Sequence, residues 1–278
     1  MDAAVVVGLA VVQGLTEFLP VSSDGHLAIG GWLFGLRAPS LPVVVLLHAG
    51  TLLATLVVLR NEVASLGRAA ASLLLGPRRG LTDDEGRLLV GVLVATAPTA
   101  LVGWWLEPHV EALSARPLAV GLGLLGSAAA VLLTHRSRGD RETLGAGRCL
   151  LVGLAQGLAV LPGLSRSGTT IAACMLLGLH ARAAFRFSFL LSMPAILGAL
   201  ILEARRVDEI GALGWLAWIG GLVAFATGAG ALLVLRGLVE RGRLGWFAAY
   251  LIPVGLALLA WDVMGEPSAT SPHGGVGP

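Results

Sequence analysis

The chain has 278 residues, 56% hydrophobic and 13% charged, with a net charge of +2. A soluble domain carries about 25% charge, so this composition excludes a soluble globular protein and indicates an integral membrane protein. All 19 basic residues are arginines in short stretches between apolar runs, which gives no ground for a nucleic-acid partner and makes the bilayer the expected one.

Residues 3–19 and 22–36 read as two apolar helices broken at Pro20. Proline cannot continue a helix, and Ser22, Ser23 and Asp24 suit the start of the second one. Each is short of the roughly 20 residues that a span needs. The pair is therefore predicted as a re-entrant hairpin whose tip is buried in protein or lines a wet cavity. Residues 41–59 are a charge-free span, and 60–87, with five arginines and Gly76–Pro77, read as a loop. Residues 88–106, containing Pro98, form the second span, and 107–116 a short, slightly acidic loop. Residues 117–134 are the third span, followed by an arginine-rich loop at 135–148. A second broken pair covers 149–161 and 167–179, tipped by Pro162–Arg166. Spans at 183–202, 210–235 and 244–261 follow, with loops at 203–209 and 236–243. The Pro-, Gly- and Ser-rich stretch 265–278 reads as a disordered tail. Cys149 and Cys174 lie in apolar contexts and read as small buried side chains. No cleavable signal segment is expected, because no basic region precedes the first apolar run.

The two hairpin tips carry the chemistry. Residues 13–26 read QGLTEFLPVSSDGH, and 156–170 read QGLAVLPGLSRSGTT, repeating Gln-Gly-Leu, Leu-Pro, a serine pair and glycine. Similar polar breaks at matching places are the mark of a duplicated membrane fold. The expectation is an all-α integral membrane fold. Six transmembrane helices and two opposed re-entrant hairpins form one domain, 1–264, with inverted-topology halves at about 1–134 and 135–264.

Ionisable groups within a membrane are costly and mark function. Both tips are Gly/Ser turns entering a helix, where free backbone N–H groups and hydroxyls suit an anion. Ser22, Gly163, Ser165, Ser167, Gly168 and Thr170 are the candidate phosphate contacts, with Arg166 as a forked cationic donor. Glu17, Asp24 and His26 suit a bridging divalent cation or acid–base work, and Ser23 or Ser22 a nucleophile; plain capping is the other reading of these serines. His48 reads as a hydrogen-bonded structural histidine, and His109, His135, His180 and His273 as interfacial or solvated. The set as a whole points to hydrolysis of a phosphate ester or anhydride whose apolar part lies in the bilayer. A polyprenyl-phosphate transporter with the same broken helices is the alternative.

QGLTEFLPVSSDGH at 13–26 and PGLSRSGTTI at 162–171 resemble the two signature motifs of the undecaprenyl-diphosphate phosphatase family, the bacitracin-resistance type. FSFLLSMP at 187–194 resembles a third family segment, and the likeness runs from about residue 5 to 262. It implies hydrolysis of undecaprenyl diphosphate in a bacterial inner membrane, with Mg2+ or Ca2+ as cofactor. It places the family's essential glutamate on Glu17, its candidate nucleophile on Ser23, its histidine on His26 and its phosphate-gripping arginine on Arg166. Two positions depart from the pattern. Gln13 stands where some members have a second glutamate, and Asp24 where serine or threonine is usual, so Glu17 and Asp24 are the metal candidates here. The phosphatidic-acid-phosphatase type requires a lysine-led motif, and this chain has no lysine.

The arginine-rich stretches 60–87, 135–148 and 236–243 should face the cytoplasm, leaving 107–116, 203–209 and both termini outside. In a cysteine-depleted chain, single cysteines replacing Ser72 and Ser137 are predicted to escape an impermeant thiol reagent in intact cells, while one replacing Ser114 reacts. Labelling at position 72 would contradict this orientation.

Overall fold

The computed structural model describes residues 3–34, 41–75, 84–137, 139–204 and 214–264. The first broken pair is α1 (Ala3–Phe18) and α2 (Ser23–Phe34); α3 (Leu41–Val58) and α4 (Arg60–Leu75) follow. Next come α5 (Asp84–Ser114), α6 (Pro117–Leu133) and the second broken pair, α7 (Ala146–Leu158) and α8 (Arg166–Leu176). α9 (Ala181–Ala204), α10 (Gly214–Glu240) and α11 (Ala248–Met264) complete the bundle. No named β-strand occurs among the described residues. Five helices, α5, α6, α9, α10 and α11, are long and apolar enough to cross a membrane, and α3 makes a sixth when taken together with α4. The tail 265–278, His273, most of the 203–209 loop and the Gly76–Pro77 turn lie outside the described residues.

Three predicted loops turn out to be helical. Residues 60–75 form α4, set at 81° to α3. Arginine, leucine and alanine are good helix formers, and clustered charge marked a polar face rather than a loop. α5 runs on past Glu107 to Ser114 with Pro98 and Pro108 inside it. Inside a membrane bundle such prolines are tolerated where neighbours re-satisfy the backbone. Beside Pro98, Thr99 Oγ1 lies 2.9 Å from Ala95 O and 3.0 Å from Gly153 O across on α7, so its one proton is shared between the two helices. α10 likewise continues to Glu240, through most of the predicted 236–243 loop.

Lipid supplies no hydrophobic drive between helices, so close packing by small residues holds them together. A Cβ on Gly14 of α1 would lie 2.7 Å from Ala224 O of α10, and one on Gly121 of α6 would lie 2.9 Å from Gly255 O of α11. Gly153 of α7 meets the backbone of Ala95 on α5 in the same manner. The pairings are exchanged between the two parts of the chain: α1 packs on α10, and its counterpart α7 packs on α5. Large apolar side chains such as Trp104, Trp105, Trp215 and Leu222 stand exposed on the outside, as a lipid-facing surface requires.

In both hairpins the first helix ends ahead of the Leu-Pro pair, α1 at Phe18 and α7 at Leu158, so the pairs lie in the turns. The first turn passes through Ser22 at φ 70°, the second through Gly163 at φ 82°. The left-handed region costs a side-chain-bearing residue about 1–2 kcal/mol, so Ser22 is strained and Gly163 is not. The tips interlock. A Cβ on Gly25 would lie 3.3 Å from Gly163 Cα, and one on Gly168 would lie 2.9 Å from Pro20 Cβ.

Gly163→Ala should lower the melting temperature in detergent by several degrees, because the new Cβ needs a left-handed backbone and strikes Val120 O. Gly8→Ala is the control: a Cβ there meets nothing within 4 Å, and helix propensity favours alanine by about 1 kcal/mol. Equal behaviour of the two variants would show that the second tip is not fixed as described.

Candidate functional site

The tips close the inner end of a cavity of about 420 Å³. Its polar wall is Thr16, Glu17, Ser22, Ser23, Asp24, His48, Glu107, Ser165 and Arg166, and its apolar wall includes Val44, Val110, Leu164, Ile196 and Leu200. That size falls in the usual range for small-molecule sites, roughly 300–1,000 Å³.

Glu17 is the centre of the polar wall. It is buried in the last turn of α1, and both carboxylate oxygens are engaged. Oε1 receives the Arg166 guanidinium in an ion pair that joins the two tips. Oε2 accepts from Gln13 Nε2 at 3.0 Å and from Ser23 Oγ at 3.0 Å. Ser23 and Arg166 are the first residues of α2 and α8, so two helix starts converge on one acid. Matching caps build both starts: Ser22 Oγ accepts from Gly25 N at 3.2 Å, and Ser165 Oγ accepts from Gly168 N at 3.2 Å. The first-turn amides beyond such caps have no intrahelical acceptor and present partial positive charge. The other guanidinium nitrogen donors of Arg166 make no protein hydrogen bond among the described residues.

Of the residues picked from sequence, Glu17, Ser22, Ser23, Asp24, Ser165 and Arg166 line the cavity. His26, Gly163, Ser167, Gly168 and Thr170 do not. Gly163 and Gly168 are where the tips touch each other. Ser167 Oγ lies 3.2 Å from Ser165 Oγ, and Thr170 is buried against Ser188 Oγ while donating to Arg166 O at 2.7 Å. These residues hold the second tip from behind. His26 points towards α11, where Tyr250 Oη meets its Nε2 at 2.7 Å.

Three contributors were not placed in the site by sequence, which read His48 only as a hydrogen-bonded structural residue. His48 is hydrogen-bonded, Nδ1 donating to Val44 O at 3.0 Å, but it also lines the cavity and places Nε2 3.3 Å from Gln13 Nε2. Ser127 of α6 clamps the second tip, donating to Gly163 O at 3.1 Å and accepting from Ser165 N at 2.7 Å. Glu107 joins the wall because α5 extends through it. The repeated QGL motif was a signal for Gln13 and Gln156; nothing local in sequence marks Ser127.

A cage made of protein ligands alone does not fit a metal here. No group of three or more His, Cys, Asp or Glu side chains is placed to hold one among the described residues. Both Glu17 oxygens already serve N–H and O–H donors. Asp24 is different: it lines the cavity, is exposed, and makes no side-chain hydrogen bond among the described residues. Mg2+ characteristically takes one or two carboxylates and completes its shell with phosphate oxygens and water. Of the two metal candidates, both on the cavity wall, Asp24 is the one that fits the protein's share of such a shell.

Residues 6–257 match the family model described as bacitracin resistance protein BacA. The chain is 44% identical over 261 residues to the undecaprenyl-diphosphatase of Desulfosudis oleivorans, covering 89% of this chain and 94% of that one. It is 41% identical to the undecaprenyl-diphosphatase of Desulforapulum autotrophicum, with the same coverage. It is 38% identical to that of Korarchaeum cryptofilum, covering 94% and 99%.

Proposed function

The chain belongs to the bacitracin resistance protein BacA family, and we propose from that premise that it hydrolyses undecaprenyl diphosphate to undecaprenyl phosphate and inorganic phosphate. The observation that carries the reading is the single carboxylate, Glu17, that receives Ser23 and Arg166 at the meeting of two helix starts. Its relatives are named for the same activity. The protein is a multi-pass membrane protein, and the proposed setting is a bacterial inner membrane, where the product serves as lipid carrier. A transporter would share the broken helices, but the names of the relatives favour hydrolysis.

The diphosphate enters the cavity with its prenyl chain along the apolar wall. Arg166 turns from Glu17 to the phosphate oxygens, aided by the first-turn amides of α2 and α8. Ser23 already donates to Glu17 Oε2, and the departure of the guanidinium from Oε1 makes that carboxylate a stronger base for the Ser23 proton. Ser23 Oγ then attacks the terminal phosphorus, the bond to the bridging oxygen breaks, and undecaprenyl phosphate leaves. Water then attacks the phosphoserine, inorganic phosphate leaves, and the proton held by Glu17 returns to Ser23 Oγ. A divalent ion held by Asp24 would neutralise phosphate charge. Without such an ion, an Asp24 carboxylate beside a diphosphate would repel it.

Phosphate release from the purified protein in detergent, with and without chelator, tests the reading; no release under either condition and with Mg2+ or Ca2+ restored would refute it. Asp24→Asn should raise the metal concentration needed for half-activation, and an unchanged midpoint would leave Asp24 as a helix cap.

Arg166→Lys keeps the charge but loses the fork, and should cost roughly 10²-fold in turnover. Ser23→Ala should fall further still. Substantial turnover in Ser23→Ala would mean that water attacks directly and Ser23 only orients phosphate.

A further inference from the structure

The ring of His26 is occupied on both nitrogens, and neither faces the cavity. Nδ1 lies 2.8 Å from Ser22 O; a carbonyl only accepts, so Nδ1 carries the ring proton. Nε2 is then the acceptor, and it is filled by the Tyr250 hydroxyl at 2.7 Å. The two rings stack 5.7 Å apart at 18°. No lone pair is left to take a proton from Ser23.

What the ring does touch is the backbone of the strained residue. Ser22 O accepts from the His26 amide at 3.2 Å as well as from Nδ1, and Ser22 Oγ is held by Gly25 N. Ser22, at φ 70°, immediately precedes Ser23. Rotation of that turn would swing Ser23 Oγ off Glu17. A strained turn persists only where its surroundings over-determine it, and here a stacked, doubly bonded imidazole supplies the constraint.

We propose that His26 is a positioning residue rather than a proton-transfer group, and that Tyr250, the sole tyrosine of the chain, is a second one. Tyr250 fixes the tautomer and plane of the ring, the ring pins the Ser22 carbonyl, and the pinned turn aims Ser23 at Glu17. This assignment rests on the phosphatase reading for its kinetic consequences, though not for its geometry.

The test compares His26→Asn, His26→Gln, His26→Ala and Tyr250→Phe in phosphate release. An asparagine amide stands near the place of Nδ1 and can donate to Ser22 O, yet cannot shuttle a proton. The glutamine amide sits one bond too far out. His26→Asn should stay within about ten-fold of wild-type kcat with KM unchanged, while His26→Gln and His26→Ala lose about 10²-fold, the scale of a misplaced reacting group. Tyr250→Phe should lower kcat several-fold without changing KM. His26→Asn as inactive as His26→Gln would overturn the proposal in favour of proton transfer, and this pair carries the comparison should the alanine variant fail to fold. If wild type releases no phosphate, the phosphatase reading fails, and the pinning is judged from the 15N spectrum of histidine-labelled protein. An Nδ1–H tautomer at His26 that shifts in Tyr250→Phe is the expected result, and an Nε2–H tautomer overturns the assignment.

Discussion

A carboxylate inside an apolar bundle has to find its donors within the protein, and Glu17 draws them from three places. Gln13 comes from one turn back on α1, Ser23 from the start of α2, and Arg166 from the start of α8. Removing a charge from water costs several kcal/mol per ion unless the partner geometry is good. The pair formed with Arg166 therefore constrains both hairpins: neither tip can withdraw without leaving an uncompensated charge. The same contact brings the candidate nucleophile and the candidate anion-binding arginine to one carboxylate, so the interaction that joins the tips also composes the candidate site.

The remaining architecture serves to bring the tips that close. Glycine contacts let α1 lie against α10 and α7 against α5 with almost no side chain between them. Ser127 ties α6 to the second tip through both a carbonyl and an amide. Among the described residues no serine plays the corresponding role at the first tip, which is held through Ser22 O by His26, with Tyr250 behind. Both left-handed turns are held at their carbonyls, Gly163 O by Ser127 and Ser22 O by His26, but only the Ser22 turn carries a side chain in that region.

Much of this was legible in the chain itself. Polar residues amid charge-free sequence located both tips, Pro20 and Pro162 located the breaks, and the repeated motif indicated that the tips belong together. The helical character of 60–75 and 107–114 was not legible from charge, because arginine and glutamate are helix formers and a solvated helix face looks like a loop in composition. The direction of the His26 side chain was not legible either. Sequence places it three residues after Ser23, but the helix turns it towards α11, over 200 residues away in the chain. His48 and Ser127 reach the site only through tertiary packing, and no local pattern distinguishes them from the many other polar residues in apolar spans.

The central claim is that Glu17 and Arg166 act as one unit joining the hairpins. A double-mutant cycle on thermal unfolding in detergent, with Glu17→Gln, Arg166→Gln and both together, tests it directly. Removing one partner strands the other charge, whereas removing both does not, so the double variant should be more stable than at least one single variant, with a coupling energy of about 0.5–3 kcal/mol. Losses that simply add would contradict the account.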